Sequence, residues 1–341
     1  MIGFNRIKKL IFILFALIIV AIGCKEEEKK VKIGFLMDSF AVARWKRDFS
    51  FFEERVKKLG GDVVVKSADG NDLTQLNQAI ELLDQEVDIL VVVAVNSNTA
   101  AAIVREAHKR SVKVIAYARI INNCDLDYYT TFNVEKIGEL QANFITSRIP
   151  NGRFILINGD IADINAVKEY NGVRKVLDPM VDSKKAKIIY SGFMDSWSGD
   201  EAAFTVNEII GLYGKNFDAI FVANDGMAKN VIEVLRQKNL AGKVLVTGLD
   251  AEAGACRMIL SGEQSMTVYM SIKQLAYKSA ELAMEVARKS SVSEKLGKIN
   301  NGRNDIPSLM LDPVAVDKDN LETTVIADGF LTMEEIQNSE F

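Results

Sequence analysis

Polar side chains that suit a small hydroxylated ligand follow two short apolar runs in the second half of the chain. Residues 219–223 end at Asn224, and residues 244–246 lead to Asp250. Apolar runs of this length, alternating with amphipathic helices, predict parallel strands buried on both faces. Ligands of open α/β sheets bind outside the carboxyl ends of the strands, where an amide and a carboxylate can hydrogen-bond hydroxyl groups. Each residue alone is equally well explained as a helix N-cap.

Further candidate side chains lie at other predicted strand or helix edges. They are aromatic or planar polar groups: Arg44, Trp45, Arg119, Asp163, Asn165 and Trp197. Aromatic rings offer flat apolar faces to the C–H side of a sugar ring, and planar Arg, Asp and Asn groups pair with its hydroxyls. The only two Trp of the chain fall one in each half, and core packing is the alternative explanation for each. Together these residues predict a sugar-binding site.

Other kinds of site lack the residues they require. The chain has a single His, His108, and three Cys without CxxC spacing, which makes a zinc site or a Cys–His pair improbable. It has no GxxxxGK[ST], GxGxxG or GxSxG motif. Asp163 and Asp250 could serve as a glycosidase pair, but nothing in the sequence sets their separation. The net charge of −4, without a basic stripe, argues against nucleic acid. We therefore expect a protein without catalysis, cofactor or metal.

The N-terminus has the pattern of a targeting signal. Three basic residues precede an apolar run at 10–22, and small residues then lead to Cys24. Such a run is short for a spanning helix. The segment 1–24 resembles a bacterial lipoprotein signal, cleaved before a lipidated Cys24; an uncleaved anchor or an ordinary secretory signal is the alternative. Residues 25–30 are charged and predicted to form a tether. We expect an exported, membrane-anchored protein, with stable anchoring through two or more acyl chains.

From residue 31 onward, the chain alternates predicted strands and helices in two successive series. Strands are predicted at 32–37, 63–65, 89–95, 112–117, 128–132, 153–158, 188–193, 219–223, 244–246 and 266–269. Short apolar pieces at 308–311, 314–316 and 324–326 are predicted to be crossover and edge segments. Repeated βα units predict an α/β fold with two Rossmann-like lobes, each a mainly parallel sheet. A cleft between the lobes would collect strand ends from both sheets.

Collinear motifs across residues 31–330 carry a resemblance to a known family. They are ARWKRD (43–48), SADGND (67–72), YYTTFNVEKIGELQA (128–142), DSW (195–197), AND (223–225), GLDAEAG (248–254), MTVY (266–269) and the tail NNGRNDIPSLMLDPVAVDKDN. With these motifs the chain resembles the D-xylose-binding proteins of bacterial ABC transporters, in the ribose- and galactose-binding group of periplasmic binding proteins. The resemblance implies two lobes joined by three hinge strands that close on one sugar. The lobes would be 31–131 plus about 268–305, and 132–267 plus about 306–330.

The resemblance also assigns roles to individual positions. The family's pocket maps onto Arg44, Arg119, Asp163, Asn165, Trp197, Asn224 and Asp250, and Trp45 is shared. Two positions depart: this chain has Ala118 where the family has Asp, and Met270 where it has Lys. One acid and one base are lost together, so the site charge is unchanged while two hydrogen-bonding groups disappear. Because each such contact is worth about 1–3 kcal/mol, we expect weaker binding or a sugar with different hydroxyls.

The expected function is a monomeric, lipid-anchored receptor for a monosaccharide, with D-xylose or a related sugar as the ligand. It would deliver the sugar to the permease of an ABC importer by hinge closure. The alternative is a sugar sensor that reports to a membrane histidine kinase or chemoreceptor. A secreted glycosidase is disfavoured because no acid–base pair is evident, and a transcriptional regulator would need a helix-turn-helix where the signal lies. Cys124 and Cys256 are expected to be separate buried thiols, since a bridge between lobes would hinder the hinge.

Overall fold

The computed structural model describes residues 30–41 and 43–339. The predicted signal with Cys24, and the predicted tether apart from its last residue, lie outside these residues. Within the described part of the chain, no helix has the length and apolar character needed to cross a membrane.

The secondary structure alternates strands and helices along almost the whole described chain. The strands are β1 (Lys32–Met37), β2 (Asp62–Ser67), β3 (Ile89–Val92), β4 (Lys113–Tyr117), β5 (Tyr128–Phe132), β6 (Gly152–Asn158), β7 (Ala186–Phe193), β8 (Ala219–Val222), β9 (Leu245–Val246), β10 (Thr267–Tyr269), β11 (Gly297–Asn300), β12 (Asp305–Leu311) and β13 (Val314–Val316). The α-helices are α1 (Ala43–Lys58), α2 (Asp72–Asp84), α3 (Ala101–Lys109), α4 (Val134–Arg148), α5 (Ile164–Asp182), α6 (Gly199–Tyr213), α7 (Asp225–Gln237), α8 (Ala253–Ser261), α9 (Ile272–Ala287) and α10 (Met333–Asn338).

The first lobe is built on a seven-stranded sheet in the order β11-β12-β5-β4-β3-β1-β2. Its strand pairs are parallel except β11–β12. Helices α1 and α9 pack on one face, where Phe52 and Leu275 join a buried cluster. Helices α2 and α3 cover the other face through Leu82 and Ile103. Covering on both faces explains why a strand such as β3 is apolar throughout.

The second lobe is built on a four-stranded parallel sheet in the order β7-β6-β8-β9. Helices α6 and α7 pack on one face through residues such as Val206 and Val231. Helices α4 and α5 cover the other face, with Ile145 and Leu177 in the buried cluster. The predicted α/β fold with two lobes and mainly parallel sheets is confirmed.

Three connections join the lobes. The chain leaves the first sheet after Phe132, at the end of β5, and returns between β10 and α9 through Met270. It crosses again between β12 and β13, after Leu311. Strands β10 and β13 pair antiparallel, with Thr267 opposite Val316, so two of the connections are joined by hydrogen bonds. The Asn133 N–H donates to the Leu311 carbonyl oxygen at 2.9 Å, which joins the connection after β5 to the one after β12.

The C-terminal part differs from the sequence prediction. Residues 306–311, assigned to the second lobe, belong to the first sheet, because β12 pairs in parallel with β5 from Ser308 to Leu311 and antiparallel with β11 from Asp305 to Ser308. The piece at 324–326 is not an edge strand but part of a π-helical turn, Glu322–Ile326. Strand β11 was missed because its residues alternate between half-buried and exposed on a sheet edge, without an apolar run. Helix α10, beyond the predicted end at residue 330, buries Ile336 against the cluster that contains Cys256.

Candidate ligand-binding site

A cavity of about 580 Å³ lies between the two lobes. Its walls contain all eight side chains that the sequence singled out: Arg44, Trp45, Arg119, Asp163, Asn165, Trp197, Asn224 and Asp250. The two departures, Ala118 and Met270, line the same cavity. Six more residues complete the walls: Thr131, Phe132, Val134, Ile137, Glu169 and Leu249. The cavity has the size and the mixture of apolar and polar groups typical of a small-molecule site.

The wall formed by the first lobe is a stack of two arginines and one tryptophan. The guanidinium carbon of Arg44 lies 4.9 Å from the centre of the Trp45 ring, and that of Arg119 lies 5.3 Å from it. The ring attracts both cations, which favours their positions beside it. Trp45 is only 6% exposed, so it packs in the core and also forms part of the cavity wall.

Acidic partners hold the two arginines in place. Arg119 Nη1 donates to Asp38 Oδ2 at 2.7 Å and to the carbonyl oxygen of Ala94 at 3.1 Å. Arg44 Nε lies 3.4 Å from Asp48 Oδ2. Asp48 is fully buried and also accepts a hydrogen bond from the Tyr117 hydroxyl. Burial raises the pKa of Asp48 above its ordinary value, while Arg44 and Tyr117 act in the opposite direction.

Two polar residues of the second lobe are helix caps as well as cavity residues. Asn224 Oδ1 accepts from the Met227 backbone N–H at 2.9 Å and caps α7. Asp163 Oδ1 accepts from the Asn165 backbone N–H at 2.8 Å and caps α5. Each cap uses one side-chain oxygen. The Asn224 amide nitrogen and the second Asp163 oxygen make no hydrogen bond to another described residue, which leaves them for a ligand.

Asp250 does not cap a helix, in contrast to Asn224. It follows β9 with a φ of 105°, a backbone conformation that is costly for any residue except glycine. Its backbone N–H donates to the Val268 carbonyl at 3.0 Å, which ties it to β10. Burial, with a smaller effect of Glu252, raises the pKa of Asp250 to about 6, and Arg44 partly offsets this shift.

A tight turn positions Trp197. It ends the 3₁₀ turn Asp195–Trp197, in which Ser196 and Trp197 have φ values of 52° and 56°. The indole packs on Gly159, where a Cβ would lie 2.4 Å from Trp197 Cζ3. Glycine at residue 159 therefore allows the ring to reach the cavity.

Glu169 is a cavity residue that the sequence reasoning missed. It is only 3% exposed, and its Oε1 accepts a hydrogen bond of 2.8 Å from Gln141 Nε2. Burial raises its pKa well above the ordinary 4.5, and Asp250 and Asp163 act in the same direction. The available signal was its spacing four residues after Asn165, which puts both on one face of α5.

Close contact between α4 and α5 brings Glu169 and Gln141 together. A Cβ at Gly138 would lie 1.9 Å from the carbonyl oxygen of Glu169, and one at Gly172 would lie 2.0 Å from that of Glu135. This pair of glycines lets the two helix backbones touch.

The two departures give the cavity an apolar region. Ala118 follows β4 with a φ of 59°, and its N–H donates to the Thr130 carbonyl at 2.8 Å. Met270 occupies the connection between β10 and α9. Neither side chain can donate or accept a strong hydrogen bond, so this region lacks the two polar groups described for the family.

The arrangement suits binding more than catalysis. Among residues 30–41 and 43–339, no group of His, Cys, Asp and Glu is placed to hold a metal ion. The cavity offers donors from two arginines, acceptors from acidic and amide side chains, and two indole rings. These groups can bind a hydroxylated ring from both sides.

Two α/β lobes that face each other across a polar cavity, with three connections beside it, define a two-lobed ligand-binding protein. The periplasmic binding protein domain matches residues 33–291. The chain belongs to this family, which confirms the resemblance in its sequence.

Several known binding proteins are similar to this chain over most of their length. The chain is 39% identical to a D-xylose-binding periplasmic protein of Haemophilus influenzae, over 90% of this chain and 92% of that protein. It is 37% identical to the D-xylose-binding periplasmic protein of Escherichia coli, with 89% and 91% covered. An ABC transporter solute-binding protein from Clostridium phytofermentans, solved with β-D-glucose, has a TM-score of 0.72, 25% identity, and coverage of 89% and 99%. These relatives are binding proteins and not enzymes, as predicted for this chain.

Proposed function

We propose that this chain is the extracytoplasmic monosaccharide-binding protein of an ABC importer, with D-xylose or a related sugar as its ligand. The observation that carries the proposal is the single cavity that collects all eight polar and aromatic candidates from both lobes. The two D-xylose-binding relatives and the similar structure that holds β-D-glucose support the ligand class.

The sugar would be held between the two walls. The indoles of Trp45 and Trp197 offer apolar faces to its C–H groups, and Arg44 and Arg119 donate to its oxygens. Asp163 and Asp250 accept from its hydroxyls, and Asn224 donates through its amide. Ala118 and Met270 would face a part of the sugar that needs no strong polar contact, and so would select among related monosaccharides.

Binding would close the lobes about the three connections. A ligand that contacts Arg44 in one lobe and Asn224 in the other stabilises the closed arrangement, because only that arrangement makes both sets of contacts. The moving units would be the two lobes predicted from the sequence, with residues 306–311 reassigned to the first. Small-angle scattering should show a smaller radius of gyration when the sugar is added. An unchanged radius at saturating sugar would contradict closure.

The N-terminal sequence and the family support the proposed location and partner. Lipidation of Cys24 would anchor a monomer at the outer face of the membrane, where the closed form meets the permease. Metabolic labelling with an alkyne palmitate should mark the wild-type chain but not Cys24→Ser. Deletion of the gene should reduce uptake of the sugar; loss of a sugar response with normal uptake would instead indicate the sensor function.

The binding function is tested by thermal unfolding of the chain from residue 25 onward with a panel of monosaccharides. A ligand that binds only the folded state raises the unfolding temperature in proportion to the logarithm of its concentration. We expect such a rise with one or a few sugars. Asp250→Asn combined with Asn224→Ala should abolish it, and a rise that survives in this variant would place the sugar elsewhere.

A further inference from the structure

Glu169 is a buried acid that lines the cavity, and one of its two carboxyl oxygens makes no hydrogen bond to a described residue. Its one hydrogen bond to a described residue is the one that Oε1 accepts from Gln141 Nε2 at 2.8 Å. The same Gln141 nitrogen donates to the carbonyl oxygen of Gly248 at 3.2 Å, which fixes the orientation of the amide. Because Gln141 can only donate at this nitrogen, Oε1 must act as the acceptor. The other oxygen, Oε2, has no hydrogen-bond partner among the described residues.

The charged groups around Glu169 are acidic. Asp163 acts on it from the N-terminus of its own helix, and Asp250 from the segment after β9. From α4, the group that hydrogen-bonds to the Glu169 carboxyl is the uncharged amide of Gln141. The two cavity arginines lie in the opposite lobe, where Arg119 is paired with Asp38 and Arg44 with Asp48. An ionised Glu169 would therefore add a buried negative charge beside the half-buried Asp163 and Asp250, and no cation of the described residues is paired with it.

We propose that Glu169 is a neutral carboxylic acid in the folded protein and donates a hydrogen bond from Oε2 to an oxygen of the bound sugar. This inference rests on the proposed function and deepens it. Glu169 becomes a specificity-determining residue that requires an uncharged ligand with an acceptor oxygen at that point. The raised pKa of Glu169 agrees with this protonation state.

The proposal separates two classes of ligand. A neutral sugar offers ring and hydroxyl oxygens as acceptors for the Glu169 proton. An amino sugar would bring an ammonium group, which would favour the ionised carboxylate of Glu169 and bind as an ion pair. A neutral Glu169 favours the neutral sugar and an ionised Glu169 favours the amino sugar. A comparison of one sugar with its amino derivative therefore distinguishes the two protonation states.

The test is calorimetric titration between pH 5 and pH 9, using the neutral sugar that the wild type binds best and its amino derivative. Glu169→Leu removes the donor, and the affinity should fall about tenfold at pH 6. Wild-type affinity should fall as the pH rises through the pKa of Glu169, and Glu169→Gln, whose amide remains a donor at every pH, should lack this fall. Glu208→Gln, an exposed carboxylate on α6, is the matched control and should behave as the wild type.

Three results would overturn the inference while leaving the proposed function intact. They are wild-type affinity in Glu169→Leu, an alkaline fall that persists in Glu169→Gln, and a preference for the amino sugar that Glu169→Gln abolishes. If the wild type bound no sugar at all, the proposed function itself would fail.

A second measurement tests the protonation state without any ligand. The folded-state pKa of Glu169 lies above its unfolded value, so the folded chain holds an extra proton and stability is lost as the pH rises from about 4.5 through the folded-state pKa. The difference in unfolding temperature, Glu169→Gln minus wild type, should therefore be more positive at pH 8 than at pH 5. The same difference at both pH values would contradict a neutral Glu169.

Discussion

The indole of Trp197 packs directly against Gly159, and a Cβ at residue 159 would come within 2.4 Å of the ring. Gly159 follows β6 at its carboxyl end, so the strand that forms the centre of the second lobe also makes room for a cavity side chain. This contact links the packing of the second lobe to the proposed ligand site.

Gly159→Ala should displace the Trp197 ring from the cavity wall. The core of the lobe is packed by other residues, so the fold should be retained. Because the aromatic face is lost from the cavity, we expect the sugar affinity to fall about tenfold. Titration calorimetry gives the affinity, and Trp fluorescence reports the ring's surroundings. Gly211→Ala is the matched control, because nothing lies within 4 Å of a Cβ there. An unchanged affinity in Gly159→Ala would show that Trp197 does not hold the sugar.

Ala118→Asp with Met270→Lys should change the sugar preference. Asp tolerates the left-handed backbone at residue 118 better than Ala does, so the first substitution should not strain the chain. The pair restores one acid and one base to the apolar region of the cavity. We expect the affinity for D-xylose to rise about tenfold relative to the other sugars of the panel. Met270→Leu controls for the loss of methionine alone. An unchanged preference in the double variant would show that these positions do not select the sugar.

Sugar affinity should fall on the acidic side as the pH drops through about 6. The pKa of Asp250 is raised to about 6, and its carboxylate must be ionised to accept from two hydroxyls. The free energy of unfolding changes with pH in the opposite direction. Between the ordinary 3.8 and about 6 the folded chain binds more protons than the unfolded one, so the contribution of Asp250 to stability is lost as the pH rises through this window.

Titration at pH 5 and pH 7 measures the acidic fall in affinity, and Asp250→Asn is its control. The variant should bind more weakly at pH 7 and show no such fall. A wild-type affinity that is the same at both pH values would contradict the role of the Asp250 carboxylate.

Ile336→Ala should lower the free energy of unfolding by about 3 kcal/mol, because Ile336 is fully buried beneath α8 and its truncation leaves a cavity. Urea denaturation measures the change. Leu212→Ala, at a position that is 77% exposed on α6, should change the same free energy very little. Equal effects of the two substitutions would show that α10 is not part of the stable fold.

The sequence predicts the fold well because apolar runs and helical spacing report burial on two faces. It fails where burial is partial or the signal is short. The antiparallel edge strand β11 has no apolar run, and residues 306–311 are placed by pairing with β5, which lies far away in sequence. The start of α10 carries a readable signal that was overlooked: Thr332 and Glu335 form a capping box.

The candidate site is predictable to a similar extent. Asn224 and Asp250 were predicted as site residues because they follow the carboxyl ends of predicted strands. The structure shows that Asn224 is both a helix cap and a cavity residue. Glu169 was not predicted as a site residue because a charged residue within a helix normally indicates a solvent-exposed face. The spacing of four residues from Asn165 indicates the face of α5 on which Glu169 lies, but its burial depends on a tertiary contact, the close approach of α4 and α5 at Gly138.

The two thiols agree with their prediction. Cys124 and Cys256 are free and buried. Burial raises the pKa of Cys124 to about 11 and that of Cys256 to about 12, so both are inert in the thiol form at neutral pH.

The most direct test of the central claim is calorimetric titration of residues 25–341 with D-xylose, D-glucose, D-galactose, D-ribose and L-arabinose, beside the Asp250→Asn, Asn224→Ala variant. A sugar-binding protein with this cavity should bind at least one of them with micromolar or tighter affinity and a stoichiometry of one, and the variant should lose that binding. No heat of binding from any sugar, or equal binding by the variant, would contradict the account.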